Sequence, residues 1–362
     1  MFAVVLGLSL AGCKKKAEES GTPSGGGTAT ATGGGGAADV PRPSQGKLDP
    51  MPALELAADP ARPAKVALGH ALFFDKRLSV DGSKACYSCH LNEDGLGGHD
   101  PLAIGPGGKT LTRHSPVLWN IGYAKGAFYW DGRAKTLEDQ VKGAWGGGNM
   151  GVGKDNLETK AGEIGAIKGY GPMFQAAFGD PAASSDRVAQ SVAEYMRTIV
   201  CTDTAYDRFA KGDKLALSEQ QQRGLDVFMG KGQCSACHTP PHFTMAMQVD
   251  GGIYYNAGVG TAGKPEAEVD VGRMAVTNNE KEWAAFKVPS LRNVAKSPPY
   301  FHDGSVATLD AAVKFMSGGG QPNKNLSPLL ASKNLTDAEH DDLMKFLEGL
   351  NCPGSLDEPK LP

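Results

Sequence analysis

The sequence predicts a mainly α-helical chain built from two similar units, with long loops and little β structure. Three observations carry that expectation. The pattern Cys-x-x-Cys-His occurs twice, as CYSCH at 86–90 and CSACH at 234–238. The segment before each copy is of one type, GHALFF at 69–74 and GLDVFM at 224–229, sharing Gly-x-x-aliphatic-Phe. Glycine is abundant, at 49 residues, while aromatics make up only 7%, a composition of long connections rather than a dense sheet.

The 362 residues suffice for two ordinary domains. Charge is nearly balanced, 37 Lys and Arg against 40 Asp and Glu, with no basic stripe, so nucleic acid is excluded as a partner. No run of eighteen apolar residues occurs that would span a membrane.

The elements follow in chain order. MFAVVLGLSLAGC, ending Leu10-Ala11-Gly12-Cys13, resembles the lipobox of bacterial lipoproteins, although the usual positive leader charges are absent. Residues 1–12 would be the signal peptide and Cys13 the acylated first mature residue. Residues 13–47, rich in Gly, Thr and Pro, read as a tether. The expected location is the periplasm, lipid-anchored to a bacterial membrane. Residues 48–200 form the first unit and 201–362 the second, with the last helix placed to fold back on the first.

GHALFF reads as a helix beside the first Cys-x-x-Cys-His. DRVAQSVAEYMRTIV (186–200) has Val188, Val192, Tyr195, Met196 and Ile199 at helical spacing and closes the first unit. LSEQQQRGLDVF has Ser218 as N-cap with Gln221 completing a capping box, and Gly230 as the stop. LTDAEHDDLMKFLEGLN (335–351) is a last amphipathic helix, with Thr336 and Glu339 as its box.

Cys-x-x-Cys-His is the attachment signature of c-type haem. Cys86, Cys89, Cys234 and Cys237 would add to the vinyl groups, and His90 and His238 would each ligate an iron. A single copy is also readable as a redox or zinc pair beside an incidental histidine; two copies behind an export leader argue for two c-type haems. Zinc would want four ligands per site, and no second pair stands at suitable spacing. The units are therefore cytochrome-c-like. Cys201 and Cys352 each follow a predicted helix and are natural disulfide partners in an oxidising compartment; two separately buried thiols are the alternative.

FYWDGRAKTLEDQVKG (128–143), FKVPSLRNVAKSPPYFHDGSVATLDAAVKFM (286–316) and both haem motifs resemble the bacterial di-haem cytochrome c peroxidases, whose framework MauG-type enzymes share. The resemblance runs from about residue 50 to the C-terminus. It implies that the first haem reduces hydrogen peroxide to water and that the second receives electrons from a small cytochrome c or cupredoxin. By resemblance Met316 is the second axial ligand opposite His238, a pair that raises the potential. MauG-type enzymes place tyrosine there. Trp130 matches a tryptophan between the haems, and Arg133, Arg273 and Arg292 are candidate propionate partners. A homodimer is compatible with the resemblance.

Three departures bear on mechanism. The loop that in many relatives reads I-G-H-G, its histidine capping the first iron, here reads Ile104-Gly105-Pro106-Gly107. The expectation is an open iron, with His99 a surface histidine and His114 in a metal-site motif. In GGGNMG (146–151) Asn149 replaces a glutamate of the peroxide pocket, and Glu158 or Asp155 would have to reach back to replace it. Arg113-His114-Ser115-Pro116 replaces a calcium motif, and imidazole suits that hard cation poorly, which leaves carbonyls such as those of Ser297 and Pro299. Two alternatives accompany the peroxidase reading: a MauG-like oxidase of a partner protein or small molecule, and a non-catalytic di-haem electron carrier.

Overall fold

The computed structural model describes residues 48–362; the segments expected to be a signal peptide and a tether, with Cys13, lie outside them. Ten α-helices occur among the described residues: α1 (Arg62–Phe74), α2 (Leu137–Gly146), α3 (Leu157–Gly165), α4 (Tyr170–Phe178), α5 (Ser185–Arg197), α6 (Ala205–Ala210), α7 (Glu219–Met229), α8 (Met274–Thr277), α9 (Leu309–Ser317) and α10 (Asp337–Glu348). The named strands are two residues each, β1 (Tyr254–Tyr255) and β2 (Phe286–Lys287), paired antiparallel with Tyr254 opposite Lys287. None of these helices is long and apolar enough to cross a membrane.

Both expected capping boxes form. The Ser218 hydroxyl accepts from Gln221 N–H at the start of α7, and the Thr336 hydroxyl accepts from Glu339 N–H at the start of α10. The helix expected over 186–200 is shorter, ending at Arg197. Its last predicted turn is spent elsewhere: Ile199 gives its carbonyl to Asn120 N–H, 2.9 Å away.

The shared Gly-x-x-aliphatic-Phe pattern marks two equivalent helix crossings. A Cβ on Gly69 of α1 would stand 1.8 Å from the Ser191 carbonyl of α5. A Cβ on Gly224 of α7 would stand 2.0 Å from the Asp342 carbonyl of α10. Only glycine lets the backbones approach that closely. The α1–α5 pair carries a core with Leu68, Phe73, Val188 and Val192, and the α7–α10 pair one with Leu225, Phe228, Leu343 and Phe346.

A second duplication, which the sequence reading did not identify, emerges from the backbone. FYWDGRAKTL (128–137) and YFHDGSVATL (300–309) form the same loop. Phe128 bridges Ala134 and Tyr300 bridges Val306. Tyr129 and Phe301 take φ of 66° and 72°, and Gly132 and Gly304 take 68° and 58°. Thr136 and Thr308 then cap α2 and α9, accepting from Asp139 N–H and Ala311 N–H. Ala144 and Met316 stand seven positions beyond the first residues of these helices, Leu137 and Leu309.

The last helix stays with the second core, on α7; it is the tail beyond it that returns to the first. Cys352, Leu356 and Leu361 join the first cluster, and the Asp357 carbonyl lies 2.7 Å from His70 Nε2. Cys201 and Cys352 are disulfide-bonded, with Cα atoms 5.4 Å apart. Two asparagines with left-handed backbone hold the bridge. The Asn120 side chain bonds both N–H and C=O of Cys201, and Asn293 Oδ1 accepts from Cys352 N–H.

Candidate haem sites

Each Cys-x-x-Cys-His opens on a single 3₁₀ turn, Cys86–Ser88 and Cys234–Ala236. In the first, the Ser88 hydroxyl accepts from Ala85 N–H at 2.9 Å. The four motif cysteines are free thiols rather than disulfides. Burial pushes the Cys86 thiol up to about 12 and the Cys234 thiol up to about 11, so both stand as neutral thiols.

The two histidines are oriented alike. His90 Nδ1 lies 3.1 Å from the Leu96 carbonyl, and His238 Nδ1 lies 3.2 Å from the Phe243 carbonyl and 3.1 Å from that of Pro289. A carbonyl only accepts, so Nδ1 carries the proton and the Nε2 lone pair is left for a metal. Burial lowers both imidazoles to about 4, holding them in the neutral, ligating form.

A cavity of about 620 Å³ opens beside the first motif, lined by Cys86, Cys89, His90, Trp119, Trp130 and Asn149 among others. Its wall is largely apolar, and among its polar groups the buried Trp119 Nε1 has no hydrogen-bond partner among the described residues. Two thiols, an imidazole with a free Nε2 and an enclosed apolar wall are the donor set and surface that a covalent haem requires. The residues present fit the group.

The other residues singled out from sequence fall into place around this cavity. Trp130 Nε1 donates to the His114 carbonyl at 2.8 Å, and the Trp130 carbonyl accepts from Lys287 N–H at 2.7 Å, which fixes the indole on the cavity wall. The loop around Pro106 is closed by an Ile104–Thr110 bridge and leans on the Asn149 run, a Cβ on Gly105 falling 2.2 Å from the Gly148 carbonyl. His99 is exposed and paired with Asp94, outside the cavity. His114 lines the cavity, but its Nδ1 is given to the Asp100 carbonyl at 3.0 Å. Met316 is half-buried on α9.

Several side chains are engaged elsewhere. Glu158 caps α5, bonding Ser185 N–H and hydroxyl, and Asp155 is exposed, so neither lines the cavity. Arg292 is fully buried against Asp207, with Nη–Oδ distances of 2.7 and 2.8 Å, and is thus an interior ion pair rather than a propionate partner. Arg133 pairs with Asp131 and lies over Tyr129, 3.6 Å from the ring centroid; Arg273 donates to the Asp131 and Gly132 carbonyls. Ser297 and Pro299 line the cavity, and among the described residues no group of three His, Cys, Asp or Glu side chains could hold a metal ion.

Comparison with known proteins agrees with this chemistry. The family model described as di-haem cytochrome c peroxidase matches residues 63–215. The MauG protein of Methylorubrum extorquens is 35% identical over 310 residues, covering 84% of this chain and 83% of its own length. The chain belongs to the di-haem cytochrome c peroxidase family. Within it, the cytochrome c551 peroxidase of Pseudomonas aeruginosa is 37% identical over 283 residues, 76% of this chain and 77% of that protein. The crystal structure of a MauG-like protein associated with microbial copper homeostasis superposes with a TM-score of 0.74 at 27% identity, covering 89% of this chain and 97% of that one. Membership of a di-haem family implies two haems as the cofactors.

Sequence reading missed three residues of this site. Ala144 was invisible without the α2–α9 duplication, whose signal, Asp-Gly-x-x-x-Thr-Leu, is present twice in the sequence. Trp119 sits in an ordinary-looking segment and Lys287 in a matched one that gave the lysine no role, and only the fold brings them to the cavity.

Proposed function

We propose that the protein is a cytochrome c peroxidase that reduces hydrogen peroxide to water with electrons from a small periplasmic cytochrome or cupredoxin. In this reading residues 48–200 and 201–362 are two haem domains. Cys86, Cys89 and His90 hold the peroxide-reducing haem, and Cys234, Cys237, His238 and Met316 hold the electron-accepting one. The bound haems supply the redox chemistry, two one-electron centres for a two-electron reduction. The observation that carries the reading is the cavity beside His90, where Ala144 occupies the place that Met316 holds in the duplicated helix. A methyl group offers no lone pair, so this chain provides no ligand at that position.

The protein's own residues have defined tasks. His90 and His238 keep Nδ1 protonated on carbonyls and present Nε2. The Asn149 amide binds and orients peroxide by hydrogen bonding but cannot carry a proton between its oxygens. Trp130, anchored at its indole N–H and its carbonyl, is the aromatic group between the two haem sites. Lipid anchoring in the periplasm rests on residues 1–13. A calcium ion at the Ser297 and Pro299 carbonyls would have to rely on main-chain oxygens.

Asn149 favours one second reading, a MauG-like oxidase of a partner protein or small molecule, since such a reaction does not depend on fast peroxide turnover. Steady-state oxidation of a reduced small cytochrome by the holoprotein on adding peroxide tests the choice. Sustained turnover supports the peroxidase. Consumption of one equivalent of peroxide followed by oxidation of an added partner supports the second reading. Inertness of both haems leaves an electron carrier.

A further inference from the structure

We propose that the Lys287 ammonium is the cation that binds a propionate carboxylate of the haem held at the first motif. The inference rests on the reading that Cys86, Cys89 and His90 attach that haem. Lys287 ends β2 and lines the same cavity as those three residues. Its Nζ donates to the Ala127 carbonyl at 2.8 Å, which leaves two of its three N–H groups without a partner among the described residues.

No carboxylate is free to neutralise it. The one acidic group whose field raises the ammonium is Asp131, and Asp131 is already held by Arg113 at 2.6 Å and Arg133 at 2.9 Å. Arg113 also binds Asp270 at 2.7 Å. Both carboxylates are thus already held by arginines, and Lys287 has no carboxylate of its own. Burial pushes its amine down to about 8, the mark of a charge without a counter-ion. A buried charge persists when it is paired, and a haem brings carboxylates into this cavity.

Lys287 also fixes the turn that carries Trp130. Its N–H donates to the Trp130 carbonyl and its Nζ to the Ala127 carbonyl, so one residue grips both ends of 127–130. The propionate contact would tie the position of the haem to that of the indole.

The test uses the holoprotein and its Lys287→Met and Lys287→Arg variants, with haem content measured as the pyridine haemochrome. With two haems per chain throughout, the propionate-bending region of the resonance Raman spectrum shifts in Lys287→Met and is restored in Lys287→Arg. The midpoint potential of one haem falls in Lys287→Met, because the lost cation had favoured the reduced iron. In the unmodified holoprotein the same Raman region stays fixed as pH is carried through 8, since a paired ammonium keeps its proton. This last measurement needs no variant to fold. An unchanged spectrum and potential in Lys287→Met, or a Raman change titrating near 8 in the unmodified protein, overturns the assignment. A chain with fewer than two haems overturns the underlying haem reading as well, and the haemochrome distinguishes the two failures.

Discussion

Asn149 and Ala144 line one cavity, and in the proposed reading they set its chemistry from opposite directions, one by what it cannot transfer and the other by what it cannot ligate. An amide orients peroxide but has no proton to exchange, and a positioned acid–base group contributes typically about 10²–10⁴-fold. Asn149→Glu is therefore expected to raise the rate of reaction with peroxide by at least about 10²-fold, read by stopped-flow absorbance of the oxidised holoprotein. Ala144→Met restores the thioether of the duplicated helix. It should convert the first haem to a low-spin, six-coordinate spectrum and suppress its reaction with peroxide; an unchanged spectrum would refute the α2–α9 equivalence. At this scale the sequence was uneven. The matching settings of His90 and His238, each with Nδ1 on a carbonyl, follow from a motif that could be read as a local spacing. The setting of Arg292 and Lys287 could not be read so, because a partner such as Asp207, 85 residues away in sequence, or a shared cavity wall is a property of the fold.

Element boundaries were legible wherever the determinant is local. A capping box joins residues three apart, so Ser218–Gln221 and Thr336–Glu339 could be read directly. The end of α5 could not, since the Ile199 carbonyl is claimed by Asn120 from a distant loop. The two glycines of the repeated Gly-x-x-aliphatic-Phe pattern make a matched pair of predictions. Gly69→Ala and Gly224→Ala each place a methyl group inside a neighbouring carbonyl, at 1.8 and 2.0 Å, so helices must part. Each is expected to lower stability by about 1–3 kcal/mol, the range for overpacked sites, measured by thermal unfolding of the holoprotein. No loss in either variant would show that the crossings have room to spare.

Across the whole molecule, a polar knot joins distant parts of the chain. Asp207 accepts from Arg292, from Thr204 and from Met51 N–H, Arg292 reaches the Cys201 carbonyl, and Cys201 is bridged to Cys352. Burial, the largest single influence, would raise the Asp207 carboxyl, but the hydrogen bonds and charge of Arg292 together with the hydrogen bonds from Met51 and Thr204 outweigh it and hold the carboxyl below its ordinary value. Its folded value lies below its unfolded one of about 3.9, so its contribution is fully present above that pH and is lost as pH falls through the folded value. The melting temperature should thus drop below about pH 4, and Asp207→Asn should flatten that acid dependence while costing about 3–5 kcal/mol at neutral pH by leaving Arg292 buried and unpaired. A variant with the parental stability at pH 7 would refute the role. None of this knot could be read from sequence except the disulfide, where two cysteines remained once the motifs and the leader were set aside.

A haem held by Cys86, Cys89 and His90 would find no protein ligand at Ala144, whereas one held by Cys234, Cys237 and His238 would also have Met316 as a ligand. An EPR spectrum of the fully oxidised holoprotein, before and after peroxide, tests this contrast most directly. The expected result is a strong high-spin ferric signal that peroxide alters, beside a low-spin signal that it does not consume by direct binding. Two low-spin signals, both indifferent to peroxide, would contradict it.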